Sequence, residues 1–229
     1  PLIAWALVPG GLLAMLALKG HTIAWPVMSY PKAYLWVGAL PLGAFLLGWS
    51  VYANFSNDGN PEPLPYVPLL NPLDIAQLLA FACLATWWRG LPGYGIGNAG
   101  EIPASWPRGL LGGAAFIFLN GVLLRTLHHW AGIPYLPDAM LRSDLAQASL
   151  SIFWTVLALV AMLWAHRRGL RVLWFSGAGM MAVVVVKLFL VDLAKVGGIE
   201  RIVSFIAVGV LMLVIGYFAP LPPKKTEGA

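Results

Sequence analysis

Apolar residues run along this chain in long blocks, with polar residues confined to the stretches between them. The first block, Leu2 to Leu18, is closed by Lys19 and carries Pro9-Gly10-Gly11, which can kink a membrane helix without breaking it. Gly20 to Pro31 reads as a loop. A second block covers Ala33 to Ala53, with a kink expected at Pro41 and with Gly38, Gly43 and Gly48 as points of close approach. A polar, proline-rich connection follows from Asn54 to Leu70. Asn71-Pro72-Leu73-Asp74 then has the order of a helix start: Asn as cap, Pro at the first helical position, Asp at the third. That third block ends at Trp88, before the Gly- and Pro-rich stretch Leu91 to Pro107. Arg108 opens a fourth block, in which Gly109 and Gly113 form a GxxxG face suited to helix packing, with an exit near Gly132. Ile133 to Arg142 reads as a short amphipathic piece lying along the interface. The fifth block, Asp144 to Ala165, and the sixth, Val172 to Leu193, flank a basic hairpin at His166 to Arg171, and a seventh covers Ile202 to Ala219. Blocks of this length match the hydrocarbon thickness of a bilayer, so the pattern predicts an all-α, polytopic transmembrane helical bundle of about seven spans, a single domain over the whole chain.

Composition agrees. Of 229 residues 60% are hydrophobic and only 10% charged, too few charges to clothe a soluble domain. The net charge of +5 is therefore read as topology, with the lipid bilayer as partner. No basic run is interleaved with the polar groups that base readout requires, so no nucleic acid is expected. The single cysteine, Cys83, lies in an apolar block and can form no intrachain disulfide. The opening at Pro1 has neither a charged n-region nor a cleavage site, so it is not a signal peptide, and the expectation is a C-terminal fragment of a longer multi-span protein.

With seven spans, Lys19, Lys32, Arg89, Arg108, Arg167, Arg168, Arg171, Lys224 and Lys225 all fall on one side of the membrane. The positive-inside rule then puts the N-terminus outside and the C-terminus in the cytoplasm. Asp74, Gln77, Arg125, His128, His129, Asp144, Gln147, Lys187, Asp192, Glu200 and Arg201 consequently share the outward ends of the third to seventh helices. Helix ends attract polar groups through the dipole, and Asp74 has a complete account as part of a helix start. Lys187 and Asp192 escape that account. The positions one turn from Lys187 are Val183, Val184, Leu190 and Val191, so its partner lies on another helix or in water. Ionised groups at such depth usually line a bundle interior or a watery cavity. The expectation is an outward polar vestibule in which Arg125, His128, His129, Gln147, Lys187 and Arg201 meet an anionic envelope solute or lipid-linked precursor. Asp144, Asp192 and Glu200 are the expected counter-ions.

Specific chemistry is sparse. His128 and His129 are adjacent and point about 100° apart on a helix, so they cannot chelate one metal as an i, i+4 pair would. No nucleophile elbow, Walker loop or dinucleotide fingerprint is present, so no metal, cofactor or catalytic residue is expected. Two other classes stay open. One is a membrane-embedded transferase at the periplasmic leaflet, using an acid or His128 as base. The other is a structural or assembly subunit, with homo- or hetero-oligomers formed through the Gly-rich helix faces.

KLFLVDL at Lys187 to Leu193, RIVSF at Arg201 to Phe205, and Gly209 resemble the recurring end of the bacterial inner-membrane proteins grouped as domain of unknown function 2339. The resemblance is most specific over Leu170 to Tyr217. It implies a multi-pass protein of the bacterial inner membrane, commonly longer than this chain, and draws attention to Lys187, Asp192 and Arg201. It supplies no reaction.

Overall fold

The structure is a computed structural model that describes residues 2–96 and 105–188, together with positions 206, 209, 210, 213, 216 and 217. Every regular element among the described residues is helical. The α-helices fully contained in the described segments are α1 (Leu2–Lys19), α2 (Ala39–Ser56), α3 (Pro72–Gly90), α4 (Ser105–Ala131), α5 (Pro137–Arg142), α6 (Asp144–Arg168) and α7 (Arg171–Lys187). Among the described residues four stretches are long and apolar enough to cross a membrane: Leu2–Thr22, Lys32–Ser56, Gly109–Ala131 and Asp144–Arg168. α3, which carries Asp74, Gln77 and Arg89, and α7 are not among them. The span expected at Ile202 to Ala219 and the last residues of the sixth lie outside the fully described segments.

The chain divides into two compact units, Pro1–Met140 and Leu141–Ala229. In the first, α1 lies against α2 and α3, and α2 lies against α4. Leu13, Leu35, Leu46, Ala53, Ala80, Leu84 and Trp87 are buried between them. The outward faces stay apolar: on α1, Trp5, Leu7, Val8 and Leu12 are exposed. In water so much contiguous apolar surface would drive association, whereas in a bilayer it is the lipid contact.

Pro9 is accommodated inside a continuous α1, and the expected kink at Pro41 sits a few residues earlier. Lys32–Val37 is wound as a π-type turn, with Gly38 N–H donating to Ala33 O at 2.8 Å, and α2 proper starts at Ala39. Pro41 lies in the first turn of α2, where its missing N–H breaks no bond. Gly20 to Pro31, expected as loop, contains a 3₁₀ turn at Gly20–Thr22 and a π-type turn at Ala24–Met28.

In the second unit α6 and α7 form an antiparallel pair around Ala158, Met162 and Met181. Gly169, at φ +64°, ends α6 in the left-handed conformation, and the Leu170 N–H returns to Ala165 O at 2.9 Å. That is the usual glycine stop of a helix. Gly177 brings the two helices together, because a Cβ there would lie 2.7 Å from Met162 Cγ. By contrast, Gly109 and Gly113 of the GxxxG motif face open space.

Candidate functional site

Polar residues recur at one-turn spacing on two apolar helices of the first unit, and the fold turns both stripes toward Arg125 on a third. Ser50 and Asn54 lie four apart on α2, Asp74 and Gln77 three apart on α3, and Gly121 and Arg125 four apart on α4. Arg125, Asp74, Gln77 and Ser50 are almost completely closed to solvent, with Arg125 the largest side chain so buried.

The Arg125 guanidinium is divided between two helices. Its Nη2 donates to Asp74 Oδ1 at 2.6 Å and its Nη1 to Asn54 Oδ1 at 2.9 Å. The second carboxylate oxygen of Asp74 accepts from Asn71 Nδ2 at 2.6 Å and from the Leu69 N–H at 3.1 Å. Leu69 is held at φ +67°, a left-handed conformation that costs a non-glycine residue about 1–2 kcal/mol and that this bond helps to hold. The helix start is as expected, with Asn71 Oδ1 accepting from the Asp74 N–H at 2.9 Å. Gln77 Oε1 accepts from both Ser50 Oγ and Asn54 Nδ2, each at 2.8 Å.

Two glycines make room for this assembly. A Cβ on Gly121 would stand 2.0 Å from Asn54 Oδ1, so the Asn54 side chain reaches Arg125 only because position 121 is bare. Gly59, at φ +69°, packs on the aliphatic stem of Arg125, and a Cβ there would lie 2.7 Å from Arg125 Cδ. Both its conformation and its contact require glycine.

A lid closes over the network. His129 Nε2 donates to Asp58 O at 3.0 Å while its ring stacks on Tyr66, centroids 4.3 Å apart. His128 Nδ1 donates to Ile133 O at 2.7 Å, and its Nε2 lies 3.6 Å from Asp58 Oδ2 in a half-exposed pair. Tyr135 Oη donates to Asn54 O at 2.5 Å. Burial pushes the Tyr66 and Tyr135 phenols above their ordinary value of about 10. The neutral phenol is thus favoured in the folded state. Its contribution to stability is complete below about pH 10 and is lost as pH climbs through the raised folded value. Spectrophotometric titration should show a late-ionising component from Tyr66 and Tyr135, and Tyr135→Phe should reduce it.

The structure thus changes the partner of Arg125. The sequence points to Asp144 and Glu200, but the acid that meets it is Asp74, which also serves its helix start. His128 and His129 clamp the lid. In the second unit Lys187 Nζ donates to Gln147 O at 3.0 Å and to Ser151 Oγ at 2.7 Å, so Gln147 contributes its backbone carbonyl. Asp144 follows the capping Ser143 at the start of α6. Asp192, Glu200 and Arg201 lie outside the described residues. Asn54, Ser50 and Gly121 are missed by the sequence reading, although the one-turn spacing of Ser50 and Asn54 signals them. Among the described residues no cluster of three His, Cys, Asp or Glu could hold a metal ion.

Long apolar helices with lipid-facing surfaces and a buried, internally paired polar core define an α-helical membrane protein. The chain belongs to the family described as Predicted membrane protein (DUF2339), whose family model matches residues 1–222. No curated protein and no solved structure matches it.

Proposed function

We propose that the protein is a structural subunit of the bacterial inner membrane, a helical frame whose internal charges bind one another and do not form an open solute path. The observation that supports this reading is the Arg125–Asp74 pair, 2.6 Å apart with both side chains completely buried. An anionic solute at Arg125 would have to displace the carboxylate that already holds its Nη2. On this reading the basic ends at Lys19, Lys32 and Arg89 face the cytoplasm.

A second reading, the outward vestibule for an anionic solute, is favoured by one detail. Arg125 Nε and Gln77 Nε2 are buried donors without a hydrogen-bond partner, and such donors are costly to leave unmet. An anion could take them if the lid around Gly59 lifted.

Melting of the detergent-purified protein in increasing inorganic phosphate separates the two. The frame reading expects no Arg125-dependent stabilisation in the wild type and a gain of phosphate stabilisation in Asp74→Asn, where the cation loses its counter-ion. A wild-type stabilisation by phosphate that disappears in Arg125→Met would overturn the frame in favour of the vestibule.

A further inference from the structure

At the opposite end of α2 and α3 from the polar network, a cleft of about 690 Å³ opens between α2, α3 and α4. Trp36, Trp87 and Trp88 wall it, with Leu40, Leu47 and Leu110 among the rest, and its one charged lining residue is Arg89. The aromatic wall is built to stay in place. Trp36 stacks on Trp87 with centroids 6.2 Å apart, and Trp87 Nε1 donates to Leu35 O at 2.8 Å. Gly43 lets the helices close behind the cleft, since a Cβ there would lie 3.3 Å from both Leu84 and Trp87. The volume falls within the roughly 300–1,000 Å³ of small-ligand sites.

We infer that this cleft holds an acyl chain of an anionic phospholipid, with the lipid phosphate on Arg89. Three observations select that occupant. Apart from Arg89 the wall is hydrocarbon and indole, which suits a chain. Three tryptophans gather at the cleft beside the starts of the Lys32–Ser56 and Gly109–Ala131 stretches, and tryptophan is enriched at the depth where a lipid's chain meets its headgroup. Arg89 is exposed at its edge and has no salt bridge among the described residues, so its guanidinium is open to the paired oxygens of a phosphate. Lys19 lies at the same end, next to Gly20, whose Cβ position is 3.2 Å from Leu35 and 3.7 Å from the Tyr94 hydroxyl. Basic residues there raise the local concentration of anionic headgroups. The inference goes beyond the frame reading and does not depend on the Arg125 network.

The test uses the full chain in nanodiscs of mixed phosphatidylglycerol and phosphatidylcholine, with lipid retained after detergent extraction counted by native mass spectrometry. Wild type should retain one phosphatidylglycerol per protein. Ala44→Phe should displace it, because Ala44 is an exposed wall residue whose enlargement fills the cleft. Ala85→Phe fills it from α3 and serves if the first variant misfolds. Arg89→Gln should keep a lipid but lose preference for the anionic headgroup by about fivefold, the weight of one basic side chain at such a surface. Undiminished retention in both filled variants, or equal retention of the two lipids by wild type, would overturn the proposal. Crosslinks between two copies from position 44 would do the same by showing a second copy in the cleft.

Discussion

Arg125→Met should destabilise the first unit by about 3–5 kcal/mol, the range found when one partner of a buried ion pair is removed. The loss arises less from the missing attraction than from what stays behind. The Asp74 carboxylate would remain at the centre of three apolar helices with no counter-ion, and Asn54 Oδ1 would lose its donor. A charge-free pair, Asp74→Asn with Arg125→Met, should therefore be more stable than Arg125→Met alone, a coupling of about 0.5–3 kcal/mol between the sites. Full recovery is not expected, since an amide at position 74 offers one oxygen where the carboxylate accepts from Arg125, Asn71 and Leu69. SDS titration of the purified protein, followed by circular dichroism, measures both variants against the wild type. The half-exposed His128–Asp58 pair provides the contrast, with Asp58→Asn costing well under about 1 kcal/mol. Equal losses for Asp58→Asn and Arg125→Met would show that burial of the Arg125 charge is not what matters.

That ion pair also marks where sequence reasoning reaches its limit. Helix existence follows from long apolar runs, so α3 and α6 start at Pro72 and Asp144, where their blocks begin, and Asn71 caps α3 as its spacing implies. Local signals are legible because their partners are three or four residues apart. The Arg125–Asp74 contact spans 51 residues, and a local cap already explains Asp74, so nothing nearby asks for a second role. Asn54 is obscured differently, because it stands at the boundary between an apolar run and a polar connection and reads as loop. In the structure it belongs to the last turn of α2 and is 4% exposed. Glycines divide in the same way. GxxxG at Gly109 permits a close contact that no described residue makes, whereas Gly121, in no recognised motif, carries the tightest approach. Small residues announce where helices can meet. Which of them do meet is decided by the polar side chains that must find partners away from water.

Gly121→Ala turns that point into a measurement with the second large effect. The added methyl would sit 2.0 Å from Asn54 Oδ1 and 2.8 Å from its Cγ, far inside contact distance, with Arg125 Nη1 also only 3.0 Å away. Asn54 cannot simply swing aside, because its Nδ2 is bound to Ser50 O and Gln77 Oε1 and its backbone carbonyl accepts from Tyr135. Either α2 and α4 separate, which loosens packing along both helices, or Asn54 abandons Arg125 and leaves a second guanidinium donor unmet beside Nε. Both routes cost about 1–3 kcal/mol or more, despite the intrinsic gain of about 1 kcal/mol from replacing glycine by alanine within a helix. Gly113→Ala, on the same helix but facing open space, should be neutral or stabilising by that propensity alone. Restoring room with the double variant Gly121→Ala/Asn54→Ser should recover part of the loss, because the shorter side chain clears the methyl. If Gly121→Ala instead matched Gly113→Ala in the SDS titration, Asn54 would not pass over position 121, and the joint between α2 and α4 would rest on apolar packing alone.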